Sequence, residues 1–182
     1  MTKSSTTLLA ASSLWPVPTS TSSAPSFGHL LECDTGYCYH GVQRWGQLTR
    51  QGIFTFHELY LPINFGSQHW IFARIRFKQN MIEVWNSSGR QSVNISYLTH
   101  ALHYLYDELS TSSSRTLPNF QTWRQSWTLE DRSDDSPRQG NGYDCGVFTL
   151  VSIALLAQGE KLNKESYNQT IIYGIATRRR IA

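Results

Sequence analysis

The chain has 182 residues, a formal net charge of +3, 16% charged residues and 40% hydrophobic residues. That length suffices for one domain with its own core. The charge is too small to imply nucleic acid, and no apolar run is long enough to span a membrane. The three cysteines, Cys33, Cys38 and Cys145, are too few and too odd in number for a disulfide framework, which points to a reducing, intracellular setting.

Residues 1–27 are rich in Ser and Thr and read as a flexible leader. A single domain is expected over 28–182, with order beginning near "SFGHLLEC". Cys33, Cys38 and His40 make half a metal site at most, with no second pair at fitting spacing, so no metal is expected. "HELYLPIN" (57–64) reads as a strand closed by Pro and Asn. "WIFARIRF" (70–77) alternates, with Ile71, Ala73, Ile75 and Phe77 on one face and Trp70 and Phe72 on the other. After a "QN" turn, "MIEVW" (81–85) returns as a further strand, and "NSSG" (86–89) is turn chemistry.

"SYLTHALHYLYDELS" then carries Leu98, Leu102, Leu105 and Leu109 at helical spacing, with Ser96 as N-cap. "FQTWRQSWTL" (120–129) reads as a strand, and "EDRSDDSPR" (130–138) as an acidic loop. A buried helix is expected over 145–157 with Asp144 as its cap, and a last helix over about 164–178. Strands, helix, strand, helix, helix give an α+β class.

The stretch "QGNGYDCG" (139–146) places Cys145 where a glycine-rich turn meets that buried helix. A helix N-terminus favours an anion and moves a thiol toward thiolate; the bland alternative is a small core residue. A thiolate nucleophile needs a base. Of the six histidines, His69 opens a strand beside a loop, where rigid scaffolds present catalytic groups. Asn86 ends the next strand of the same hairpin and therefore lies near His69, where its amide oxygen can accept from imidazole Nδ1–H. Gln139, six residues before Cys145, can join the Cys145 N–H in holding an oxyanion. Each assignment is weak alone, and the four compatible roles together are stronger than any one of them.

The segments "VQRWGQLTRQGIFTFHELYLPIN", "HWIFARIRF", "IEVWNSSG" and "QGNGYDCGVFTL", with the basic C-terminal helix, resemble the SUMO- and ubiquitin-like-protein-specific cysteine proteases, relatives of adenovirus protease. The resemblance runs from about residue 42 to the end. It implies a papain-like or adenain-like fold: a central mixed sheet between helices, with the nucleophile at the start of a buried helix. It implies Cys145 as nucleophile, His69 as general base and acid, Gln139 in the oxyanion hole, and Trp70 over the tunnel for a Gly-Gly tail. No cofactor is implied. The implied partner is a SUMO-like modifier and its conjugates, with no nucleic acid or membrane, in a monomeric protein of the nucleus or cytoplasm.

Two departures stand out. The third triad position is usually Asp, and here it is Asn86. An amide still orients the ring, as in Cys-His-Asn enzymes, so impaired or papain-like activity is expected and Asn86→Asp is expected to raise it or to broaden its pH profile. The alternative is a catalytically impaired module that binds a modifier. The family's "WLND"-like helix has no counterpart, so a domain short on its N-terminal side is expected.

Overall fold

The structure, a computed structural model, describes residues 32–33, 36–47, 52–65, 68–113 and 116–173. The 1–27 leader, Ile175 and the basic run 178–180 lie outside these residues. A short hairpin, β1 (Glu32–Cys33) and β2 (Gly36–Tyr37), leads into helix α1 (Tyr39–Gln47). The sequence reading did not anticipate this helix. It docks through Val42, which is fully buried, and through the Tyr39 hydroxyl, which donates to Glu108 at 3.1 Å.

Four strands form the sheet: β3 (Glu58–Phe65), β4 (His69–Arg76), β5 (Met81–Trp85) and β6 (Thr128–Asp131). Their order is β3-β4-β5-β6, antiparallel except for the parallel pair β5–β6, so the sheet is mixed. The period-2 alternation read in the sequence sorts β4 between two cores. Ile71, Ala73 and Ile75 join Ile82 and Val84 under helix α2 (Val93–Ser112). Phe72 joins Trp85 under helix α4 (Cys145–Ala157). Helix α3 (Phe120–Arg124) precedes β6, and α5 (Gln169–Tyr173) closes the described chain. A sheet between helices is the α+β architecture expected, and α4 has the expected bounds. No described helix is long and apolar enough to cross a membrane.

The remaining differences are local. Of the strand expected over 120–129 only Thr128 and Leu129 are extended, in β6, and 120–124 are helical. The Asn119 side chain accepts from the Thr122 N–H at 3.0 Å and starts α3. Trp123 and Trp127, four apart, pack at 5.3 Å between ring centroids, a spacing that suited either period. Glu130 and Asp131 belong to β6 rather than to the acidic loop. Helix α2 starts at Val93, so Ser96 lies inside it and does not cap it. Of the expected 164–178 helix, only Gln169–Tyr173 is helical within the described residues.

Candidate active site

The "NSSG" turn closes with the Gly89 N–H donating to the Asn86 carbonyl at 3.0 Å. Gly89 has φ +104°, and an added Cβ there would collide with the Arg138 guanidinium, so the turn requires glycine. This turn holds Asn86 at the end of β5 with none of its surface exposed. Its Oδ1 lies 2.8 Å from His69 Nε2. The hairpin therefore brings the two together as expected. The ring nitrogen is Nε2, however, and not the Nδ1 expected from the sequence. Asn86 Oδ1 also accepts from the Ser88 N–H at 2.9 Å. That atom is thus the amide oxygen, His69 donates from Nε2–H, and Nδ1 is the basic nitrogen.

Cys145 begins α4 and is 3% exposed. Its Sγ lies 4.0 Å from the carbonyl oxygen of Gln68. The next residue, Gly146, packs under the Trp70 indole, where an added Cβ would sit 3.3 Å from Trp70 Cδ1. The residues on both sides of His69 therefore touch the first two residues of α4. Asp144 is buried and holds the expected N-cap position, its carbonyl accepting from the Phe148 N–H at 3.0 Å, but its side chain makes no capping bond. Its carboxylate instead accepts from Asn141 Nδ2 and Gln169 Nε2.

Asn141 organises the turn before the cysteine. Its Oδ1 accepts from the Tyr143 and Asp144 N–H groups at 3.1 and 3.0 Å. Its Nδ2 donates to Asp144 and to the Tyr173 hydroxyl at 2.9 and 2.7 Å. Helix α5 braces the same turn, with Gln169 Oε1 accepting from the Gly140 N–H at 2.9 Å.

Gln139 lies across the turn from Cys145. The Ser87 hydroxyl donates to its Oε1 at 2.6 Å, and its Nε2 donates to the Asn141 carbonyl at 2.6 Å. Among the described residues the second Nε2 hydrogen has no acceptor. It borders an open cleft of about 500 Å³ lined by Gln68, His69, Ser88, Gln139, Gly140 and Asn141. Ser87, Asn141, Asn94 and Asp131 were not singled out from the sequence. Asn141 sits inside "QGNGYDCG", four residues before Cys145, a spacing that could have marked it; the other three, single polar residues in turns or beside apolar runs, carry no spacing signal, and only the tertiary arrangement joins them to the site.

Together these groups form a thiol at a helix start, and an oriented imidazole and a side-chain amide that line one cleft, an arrangement suited to acyl transfer. The chain is 30% identical over 136 residues to ubiquitin-like-specific protease 1A of Arabidopsis thaliana, covering 73% of this chain and 25% of that protein. It is also 30% identical over 149 residues to a sentrin-specific protease of Caenorhabditis elegans, covering 79% of this chain and 20% of that one. The chain thus spans about a quarter or less of these curated relatives. Its fold is similar to the C-terminal Ulp1 protease domain solved with Smt3, the yeast ortholog of SUMO. That likeness has a TM-score of 0.61 and 24% identity, over 79% of this chain and 58% of that one. The Chaetomium thermophilum Ulp1-like SUMO protease catalytic domain is similar with a TM-score of 0.55 and 23% identity, over 79% and 52%. Residues 12–175 match the Ulp1 protease family, C-terminal catalytic domain, and the chain belongs to that family.

Proposed function

We propose that this chain is a cysteine peptidase that cleaves after the C-terminal Gly-Gly of a SUMO-like modifier. The observation that carries the reading is the His69–Asn86 hydrogen bond beside a cysteine at a helix N-terminus. Family membership and relatives named as ubiquitin-like-specific and sentrin-specific proteases support it. With Nε2–H committed to Asn86, Nδ1 takes the Cys145 thiol proton.

The thiolate attacks the carbonyl carbon of the terminal glycine. The carbonyl electron pair moves to oxygen, where the Cys145 N–H and the free Gln139 Nε2–H stabilise it. Collapse breaks the C–N bond, and His69 gives its proton to the departing amine, a lysine ε-amine or a peptide nitrogen. Water, losing a proton to His69, then attacks the thioester and releases the modifier's carboxylate and the thiol. Trp70 over Gly146 forms a narrow roof that admits a tail without side chains and excludes others.

We place the protein as a monomer in the nucleus or cytoplasm, which the low, odd cysteine count suits.

The test is incubation with SUMO and with ubiquitin, each bearing a C-terminal electrophile, beside a Cys145→Ala control. A SUMO adduct on the wild-type protein alone supports the reading. No adduct from folded protein with either modifier sinks it and leaves a binding module in its place.

A further inference from the structure

Behind His69 lies a buried polar chain whose direction is determined at every link. We propose that Asp131 and Asn94 fix the orientation of the Asn86 amide toward His69. On this inference, positions 86 and 131 are a matched pair in which one side chain must be an amide and the other a carboxylate. It rests on reading His69 as the base and Asn86 as its orienting partner.

The chain begins at Asp131, the last residue of β6. A carboxylate accepts only. Its Oδ1 accepts from the Ser133 N–H at 3.0 Å, and its Oδ2 accepts from Asn94 Nδ2 at 3.1 Å. Asn94 Nδ2 also donates to Ser133 Oγ at 3.1 Å, so both hydrogens are used on that side. Asn94 Oδ1 must then face Asn86, where it accepts from Nδ2 at 3.3 Å. The Asn86 Oδ1 is thereby turned to the Ser88 N–H and His69. Asn86, Asn94 and Ser133 have no exposed surface, so water does not repair a mismatched link.

Asn86→Asp breaks this order. One carboxylate oxygen keeps His69 and the Ser88 N–H, but the other meets Asn94 Oδ1, acceptor against acceptor. Turning the Asn94 amide only moves the conflict to Asp131. The acid fits unchanged only by keeping a proton on the oxygen facing Asn94, and then it carries no charge and adds nothing to Asn86. Asp131→Asn fails in the mirror sense. With its oxygen kept on the Ser133 N–H, its new NH₂ meets the Asn94 NH₂.

The exchange of both restores every bond. The carboxylate then at position 86 accepts from His69, the Ser88 N–H and a turned Asn94 Nδ2, and Asn94 Oδ1 accepts from the amide at position 131 and from the Ser133 hydroxyl. The expectation that Asn86→Asp alone raises activity is therefore replaced by its opposite. The carboxylate that this family usually carries at the third triad position has, in this chain, a counterpart two amides away.

The experiment is a double-mutant cycle over wild type, Asn86→Asp, Asp131→Asn and the exchange variant. Thermal midpoints and the rate of Cys145 alkylation by iodoacetamide across pH are measured, the latter by peptide mass spectrometry to separate Cys33 and Cys38. Alkylation reports thiolate formation beside His69 and needs no modifier.

Each single variant is expected to alkylate about tenfold more slowly and to melt lower, with the exchange variant within about threefold of wild type. Singles that fail to fold beside an exchange variant that folds support the pairing equally. Asn86→Asp matching or exceeding wild type, or an exchange variant as impaired as the product of the singles, or unfolded, overturns it. Recovery in this cycle without any SUMO adduct on wild type would retain the pairing and discard the peptidase reading.

Discussion

Gly146→Ala separates stability from activity at the site. An added Cβ would lie 3.3 Å from Trp70 Cδ1, 3.7 Å from Cγ and 3.8 Å from Nε1. The first contact is a few tenths of an ångström inside the ordinary carbon–carbon separation of about 3.5–4.0 Å. The indole is half-buried and can tilt outward. Gly146 is not in the left-handed region, where the described glycines are Gly52, Gly89 and Gly159, so alanine meets no backbone strain.

The overlap costs about 1 kcal/mol, the lower end for overpacking. Removing glycine from the first turn of α4 returns up to about 1 kcal/mol. The thermal midpoint should therefore move by no more than about 3 °C. Trp70 nevertheless shifts from the start of the helix, and a roof displaced by a fraction of an ångström costs about ten- to a hundredfold in kcat/KM. The assay is hydrolysis of a SUMO C-terminal fluorogenic amide, with melting followed by scanning fluorimetry. Gly146→Val should lose activity further and also melt lower by the equivalent of about 1–3 kcal/mol. Full activity in both variants would refute Trp70 as the roof, and a steep loss of stability in the alanine variant would refute the packing estimate.

Ser87→Ala removes the hydroxyl that holds Gln139 Oε1 at 2.6 Å; kcat should fall about tenfold at nearly unchanged KM, as measured by steady-state kinetics on the same amide. Asn141→Ala opens the turn before Cys145 by deleting four hydrogen bonds; adduct formation with the SUMO probe should slow at least tenfold, and the midpoint should fall by the equivalent of about 2–4 kcal/mol. Glu58 makes a fork with Arg74 at 3.1 and 2.7 Å and accepts from the Tyr60 hydroxyl at 2.6 Å. Burial raises its pKa, but the Arg74 and Tyr60 bonds and the nearby Arg76 outweigh this and hold it below the usual carboxylate value. Its stabilisation is complete above the unfolded value of about 4.3 and lost as pH falls through the lower folded one. Glu58→Gln should melt about 3–6 °C below wild type at pH 7, a loss of about 1–2 kcal/mol, and the gap should close below about pH 4. A gap unchanged at pH 3 would refute the assignment.

What the sequence made legible followed from periods and chain neighbours. Alternation in "WIFARIRF" assigned Ile71, Ala73 and Ile75 to one core and Phe72 to the other. Two strands joined by a tight turn were enough to bring His69 to Asn86. Cys145 was legible because a glycine-rich turn runs into thirteen helical residues. Residues 120–127 were not, because aromatic residues four apart fit one helical face and one strand face alike, and the side-chain cap from Asn119 decided between them. The ring nitrogen was also out of reach, since it depends on which edge of His69 faces the end of β5. The chain from Asn86 to Asp131 spans β5, α2 and β6, and no local pattern records a convergence of three elements separated by up to 45 positions.

The mixed sheet explains how a single strand end serves two purposes. Successive residues of a strand point to opposite faces, so His69 and Trp70 are committed to different cores. His69 falls on the α2 side, where Asn94 and Asp131 orient its partner. Trp70 falls on the α4 side, against Gly146. On the proposed reading, orientation of the base and closure over the tail are thus carried by separate packing surfaces. A substitution behind Asn86 should alter thiolate formation without moving the roof, and one at Gly146 should move the roof without altering thiolate formation. Sites supported by separate contacts contribute additively. Combining Asp131→Asn with Gly146→Ala should therefore multiply the two losses in SUMO-amide hydrolysis, while iodoacetamide alkylation registers only the first. A loss smaller than the product would mean that the two faces share one structural element, and the independence of base and roof would be wrong.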